Sequence, residues 1–189
     1  MAYICINKES FLTHRFRDDD GANCAVNNLL REFNAAEVSK NRIVFAPRVA
    51  KALHLRRMLA ADLFLDTYMY GAHSTASDAL FVALPVLTLV GDTFTSRVGL
   101  SLLENVDKDL SAILVMRSVD DYISTAVNFA EGIINDASFP RKLRRKLFIE
   151  TQKSKLFDDE SYTKDFNRMS KALQEVYLME RSRMHVIVI

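Results

Sequence analysis

The segment Tyr70-Gly71-Ala72-His73-Ser74-Thr75-Ala76-Ser77-Asp78 puts a glycine, an imidazole, a pair of hydroxyls and a carboxylate where an apolar run hands over to a helix-like stretch. The first N–H groups of a helix lack intrahelical partners and lie at the positive end of its dipole, so this turn suits a diphosphate on His73, Ser74 and Thr75. Asp78, about one turn further in, is placed to accept hydrogen bonds from ribose hydroxyls. Each residue also has a plainer role. Ser74 or Thr75 would serve as an N-cap, and an acid in a first turn is favoured by the dipole alone.

A second group lies on the helix expected over residues 51–60. At about 100° per residue, Lys51, His54 and Arg57 share an arc of roughly 120° beside the apolar face of Ala52, Leu55 and Leu59. Such an arc suits an anion or a base ring, and it equally describes an ordinary solvated basic face.

Other candidates carry less. Asp18-Asp19-Asp20-Gly21 has the look of an acidic metal loop but reads as a solvated turn, so no metal is expected. Arg141-Lys142-Leu143-Arg144-Arg145-Lys146 has no interleaved aromatics and reads as a solvated helix face, not a nucleic-acid patch. The five glycines form no Walker A or G-x-G-x-x-G motif. His14 and His185 have no visible partners, and Met58, Met69 and Met169 read as packing residues.

The elements that must position these residues alternate. Residues 25–38 have helical spacing in Val26, Leu29, Leu30 and Phe33. Ile43-Val44-Phe45-Ala46 reads as a buried strand, residues 51–60 as a helix, Leu63-Phe64-Leu65 as a strand and residues 74–83 as a helix. Residues 85–90 form the next strand, apolar enough for a parallel sheet covered on both faces, and residues 95–104 the next helix. Ala112-Ile113-Leu114-Val115 reads as the last strand, with helices after Asp120. The pattern predicts a doubly wound parallel sheet of Rossmann-like α/β type, with ligands at the carboxyl ends of its strands. The loops at residues 46–50, 66–73 and 91–95 should then share one rim.

Length and charge set the frame. A chain of 189 residues fits one domain, with a core over residues 40–118 and a helical part over 119–181. A net charge of +1 argues against a polyanion partner. The two cysteines, Cys5 and Cys24, are too few for a secreted disulfide scaffold and point to a reduced, cytoplasmic setting. Residues 1–10 lack the pattern of a signal peptide, and the longest apolar stretch, residues 79–90, is too short to span a bilayer. No membrane partner is expected.

Taken in order, Ile43-Val44-Phe45-Ala46-Pro47, His54-Leu55-Arg56-Arg57, Ala61-Asp62-Leu63-Phe64-Leu65-Asp66-Thr67, His73-Ser74-Thr75 and Asp78 resemble the C-terminal lobe of the protein O-GlcNAc transferases and their SPINDLY-like relatives. Pro85-Val86-Leu87-Thr88, Gly91-Asp92-Thr93-Phe94-Thr95-Ser96-Arg97-Val98 and Ser154-Lys155-Leu156-Phe157-Asp158 extend the resemblance in the same order, to roughly residues 11–177.

The resemblance implies the C-terminal half of a GT-B glycosyltransferase, inverting and independent of metal or other cofactor. Such an enzyme moves N-acetylglucosamine from UDP-GlcNAc to Ser or Thr of a protein acceptor. By position it puts Lys51 against ribose or uracil, His54 and Arg57 near the base, and His73, Ser74 and Thr75 on the diphosphate. Asp78 falls on the ribose hydroxyls and Tyr70 near the donor's acetyl pocket. It further implies a cytoplasmic or nucleocytoplasmic enzyme with an N-terminal catalytic lobe and tetratricopeptide repeats, neither of which has a counterpart in these residues. No catalytic base is therefore expected in this chain.

Several positions depart from the family pattern. The family has Thr where Ser74 stands, usually Gly where Ala83 stands, and often a smaller residue than Tyr70. Its Gln and Lys on the donor phosphate have no counterpart in residues 1–10, and residues 185–189 resemble nothing in it. The SPINDLY branch, which uses GDP-fucose, tends to have Thr for His73 and Glu for Asp78, so this chain sides with the GlcNAc branch. Three function classes follow: a donor-binding lobe of an active transferase, a non-catalytic UDP-sugar-binding module, and, last, a nucleic-acid binder through residues 141–146.

Overall fold

The structure is a computed structural model that describes residues 2–4, 20–136 and 138–180. Cys5, His14, Asp18, Asp19 and residues 185–189 lie outside the described residues. A four-stranded sheet is built in the order β1 (Ala2–Ile4), β2 (Leu63–Leu65), β3 (Val86–Leu89) and β4 (Val115–Met116). β2, β3 and β4 are parallel, with Phe64 opposite Val86 and Thr88 opposite Val115. β1 runs antiparallel to β2, an exception to the all-parallel sheet expected from the sequence.

The side-chain alternation of the strands sorts the core. Phe64 and Val86 face one side, where Met58, Ala76, Leu80, Leu103, Leu110 and Leu147 bury them. Leu63 and Leu87 face the other, against Phe129 and Tyr122. All four residues of β3 are buried, as a central parallel strand covered on both faces requires.

The helices are α1 (Asp20–Ala35), α2 (Lys51–Met58), α3 (Ser74–Phe81), α4 (Val98–Val106), α5 (Lys108–Leu114), α6 (Val119–Asn135), α7 (Phe139–Lys153) and α8 (Asp159–Glu180). Among the described residues, no helix is long and apolar enough to cross a membrane.

Two expected strands are corrected. Ile43-Val44-Phe45-Ala46 lies outside the sheet, although Ile43 has extended dihedrals (φ −121°, ψ 124°). The edge of β2 is instead taken by β1. Ala112-Ile113-Leu114 belongs to α5, and the strand begins only at Val115. The Asp107 side chain caps that helix by accepting from the Leu110 N–H at 2.8 Å, and Leu110, Ser111 and Leu114 form its buried face.

The helix expected over 95–104 is split. Thr93 and Ser96 form a reciprocal capping box around a single 3₁₀ turn, Phe94–Ser96, and α4 starts afresh at Val98. α3 ends two residues earlier than expected in a Schellman turn, with Leu84 N–H donating to Ala79 O at 2.8 Å and Ala83 N–H to Leu80 O at 2.9 Å. Ala83 is the left-handed residue of that turn, at φ 55°. The conformation costs an alanine about 1–2 kcal/mol and a glycine little, which is the physical reason a glycine suits this position.

Candidate functional site

α2 and α3 pack side by side, and their facing side chains meet at one carboxylate. Asp78 on α3 pairs with the Lys51 ammonium at the start of α2 and lies 3.9 Å from His54 Nε2. Arg57, one turn beyond His54, donates from Nη2 to His54 Nδ1 at 2.8 Å and from Nη1 to Pro47 O at 2.9 Å. An arginine donates only, so His54 Nδ1 must accept and the ring proton sits on Nε2, toward Asp78. Arg57 Nε is buried and makes no hydrogen bond, which leaves an unused donor inside the cluster. The four residues singled out at this end of the sequence pattern, Lys51, His54, Arg57 and Asp78, therefore form one contiguous polar group.

The second group surrounds the start of α3. His73 is the N-cap residue (φ −98°, ψ −91°), and no side chain caps the helix. Neither Ser74 nor Thr75 takes the capping role that sequence alone left open for them; they are the first two helical residues. The His73 ring stacks on Tyr70 at 5.1 Å between centroids and meets Phe94 edge-on at 6.2 Å. Its Nε2 is 3.4 Å from Thr95 O. Ser74 and Asp78 are four residues apart, so the open helix start and the α2 cluster lie along the same face of α3.

The loop between β2 and α3 is braced from two directions. Gly71 N–H donates to Thr95 O at 2.9 Å, and Thr95 Oγ1 donates to Met69 O at 3.1 Å. These bonds bring together the loops at 66–73 and 91–95, two of the three expected to share a rim. A side chain at Gly71 would put a Cβ 3.1 Å from both Asp66 Oδ2 and Thr95 O, so close approach, not a left-handed φ, is what favours glycine there.

Asp66, just past the end of β2, is a residue whose part the sequence did not disclose. Its buried carboxylate accepts from Thr67 N–H at 2.9 Å, Ala72 N–H at 2.6 Å and Thr88 Oγ1 at 2.8 Å. Burial pushes the Asp66 carboxyl above the usual carboxylate value, against the pull of these three donors. Tyr122 on α6 donates to Asp66 O at 2.8 Å, and burial followed by the nearby Asp66 charge raises its phenol. The signal for Asp66 was its place at the carboxyl end of a buried strand; its partners, Ala72 and Thr88, are invisible to local pattern.

Most of the basic run on α7 is the solvated face expected, with Arg141, Lys142, Arg145 and Lys146 exposed, and Arg144 is half-buried. Arg144 donates to Leu59 O at 3.2 Å and to Ala61 O, Lys142 reaches Asp136 at 3.1 Å, and Lys146 lies 3.8 Å from Asp107. Among the described residues, no group of three His, Cys, Asp or Glu side chains is arranged to hold a metal ion.

Comparison with known proteins adds an independent observation: residues 21–166 match the sequence model of glycosyl transferase family 41. The chain belongs to that family. Among curated relatives of family 41, it is 33% identical over 125 residues to a UDP-N-acetylglucosamine–peptide N-acetylglucosaminyltransferase of Caenorhabditis elegans, a match that covers 66% of this chain and 10% of the relative. It is 29% identical over 139 residues to the probable transferase SEC of Arabidopsis thaliana, covering 73% of this chain and 14% of the relative. The probable SPINDLY transferase of Hordeum vulgare is 29% identical over 124 residues, covering 66% and 12%.

The fold is similar to that of a mutant O-GlcNAc transferase from Thermobaculum terrenum, with a TM-score of 0.67 at 24% identity, over 82% of this chain and 28% of that one. The family-41 chain thus has a Rossmann-like α/β fold and spans only about 10–14% of the length of these curated relatives. All the geometry above, from Lys51 to Thr95, falls within the matched residues.

Proposed function

We propose that this chain is the donor-binding lobe of a protein O-GlcNAc transferase, the C-terminal half of an inverting, metal-independent GT-B enzyme that binds UDP-GlcNAc. One observation carries the reading: the start of α3 has no side-chain cap, His73 stands at its mouth, and Asp78, Lys51 and His54 line the same face one turn along. A diphosphate at that start would accept from the amides of Ser74 and Thr75, and His73 would add a donor. The ribose hydroxyls would reach Asp78, displacing Lys51 toward the ribose or uracil. Arg57, with Nε unspent, would face the base beside His54. Tyr70, stacked on His73, would flank the sugar.

In the complete two-lobe enzyme the acceptor Ser or Thr hydroxyl attacks the anomeric carbon, and the C–O bond to the diphosphate breaks. Negative charge grows on the leaving UDP, and the α3 amides and His73 would stabilise it. Donors preset toward developing charge commonly contribute about 10²- to 10³-fold each in rate. His73→Ala in a two-lobe enzyme is therefore expected to lower turnover strongly, and unchanged turnover contradicts the phosphate role.

The lobe itself is tested by calorimetric titration of this chain with UDP, GDP and UDP-GlcNAc. The reading predicts binding of both uridine nucleotides. Preference for GDP would move it to fucose transfer, and no binding by any of the three would overturn it. The acceptor protein and the N-terminal catalytic lobe are the partners this function requires.

A further inference from the structure

We propose that Asp66 is the positioning residue of the diphosphate site: it buckles the loop from Thr67 to Ala72 and thereby aims His73 and the amides that open α3. The inference rests on the donor-binding reading above and deepens it, because it names a residue that never touches the nucleotide yet sets its affinity. The loop leaves β2 at Asp66, whose N–H still joins the sheet by donating to Leu87 O at 2.9 Å. One carboxylate oxygen, Oδ1, then collects the amides at both ends of the loop, Thr67 at 2.9 Å and Ala72 at 2.6 Å. The next residue after Ala72 is His73, the N-cap of α3. A single oxygen therefore fixes where the loop departs and where the helix begins.

The other oxygen ties the buckle to the core. Oδ2 accepts from Thr88 Oγ1 at 2.8 Å, on the central strand β3. The backbone of α4 closes against the same atoms: a Cβ at Gly99 would stand 2.6 Å from Thr88 Oγ1 and 2.9 Å from Asp66 Oδ2. From α6, Tyr122 holds the Asp66 carbonyl. The carboxylate is thus gripped by the sheet and fitted against α4, while Tyr122 fixes its backbone. On the far side of the loop, Thr95 O receives Gly71 N–H and lies 3.4 Å from His73 Nε2, so loop and imidazole are referenced to one another. Beyond the buckle, the exposed segment Tyr68-Met69-Tyr70 is held by the Thr95 and Thr67 hydroxyls, which donate to Met69 O and Tyr70 O, and by the stack of Tyr70 on His73.

A positioning role makes a distinctive prediction, since only the diphosphate half of the ligand depends on the loop. Uridine, read by Lys51, His54, Arg57 and Asp78, should not notice it. Binding of UDP and of uridine to the 189-residue chain is measured for the parent, Asp66→Ala, Asp66→Asn and Thr88→Val. Asp66→Ala is expected to weaken UDP by about 10-fold or more and leave uridine within about 2-fold. Asp66→Asn keeps an oxygen for the two amides and offers N–H to the Thr88 hydroxyl, so it should restore UDP affinity to within about 3-fold of the parent. Amide exchange at Thr67 and Ala72 should accelerate in Asp66→Ala and return to the parent rate in Asp66→Asn.

Thr88→Val removes only the donor to Oδ2 and is expected to cost UDP about 3-fold with uridine unchanged. Should Asp66→Ala fail to fold, Thr88→Val takes its place: a selective loss of UDP supports the buckle, and parent-like UDP binding overturns it. Parent-like UDP binding in a folded Asp66→Ala, or equal loss of UDP and uridine, overturns the proposal in the same way. Failure of the parent to bind UDP at all would instead remove the donor-binding reading on which it stands.

Discussion

Replacing Arg144 by methionine should loosen the end of the helix that carries Lys51, His54 and Arg57. Its guanidinium donates to Leu59 O at 3.2 Å and to Ala61 O, carbonyls at and just beyond the end of α2 that have no helical N–H to accept from. A third approach, to Met58 O at 3.4 Å, is too long to add much. Hydrogen bonds from a charged donor are worth about 1.5–3 kcal/mol each, and a cation at a helix C-terminus adds about 0.3–1 kcal/mol. Half-burial of the guanidinium and the sharing of one cation between two acceptors bring the expected loss to about 2–3 kcal/mol.

Methionine keeps the length and apolar stem of the side chain, so lost packing contributes little. With a urea dependence of about 2 kcal/mol/M, the unfolding midpoint should fall by about 1–1.5 M. Far-UV circular dichroism is the suitable probe, because the chain has no tryptophan. Arg145→Met, at the exposed neighbouring position, is the control and should move the midpoint by less than about 0.2 M. Equal midpoints for the two variants would refute the tether and return the basic run to a plain solvated face.

Two further outcomes test other parts of the structure. Gly99→Ala should destabilise by about 1–3 kcal/mol in the same urea assay, because its methyl would press on buried Thr88 and Asp66, where neither atom can yield; a change below about 0.5 kcal/mol would contradict the close approach. Asp136, held at about 2 by donation from the Ser138 hydroxyl, the Ser138 N–H and Lys142, carries its charge more readily folded than unfolded. Its contribution to stability is thus complete above about pH 4 and lost as pH falls through about 2, so Asp136→Ala should flatten the parent's decline across that window. Parallel pH–midpoint curves would show that Asp136 has no such role.

What the sequence made legible follows a physical division. β2 and β3 were plain because their residues, Thr88 apart, are apolar and bounded by turns, and α3 because Ser74 opens it three residues after Gly71. The chemistry-bearing side chains were legible too: helical spacing alone brought Lys51, His54 and Arg57 to one arc, and α3 packed beside α2 completes it with Asp78. What failed depended on partners far along the chain. Ile43-Val44-Phe45-Ala46 has the composition of a strand but lies outside the sheet, where β1 holds the edge of β2. Ala112-Ile113-Leu114-Val115 is short enough for strand or helix, and the Asp107 cap decides it. Asp66 stayed hidden because its meaning lies in Ala72 and Thr88, and Thr88 sits on another strand. The basic run reads as surface and its residues other than Arg144 and Leu143 are exposed; only the partner of Arg144 at the end of α2 was hidden.

The central claim is that the open start of α3 receives a diphosphate. Titrating UDP into isotopically labelled protein and following backbone amide resonances tests it most directly. The amides of Ser74 and Thr75, with the His73 ring, should shift most and saturate together, and inorganic diphosphate should move the same amides while leaving Arg57 unmoved. Saturable shifts that map away from residues 73–78, or none at millimolar UDP, would contradict it.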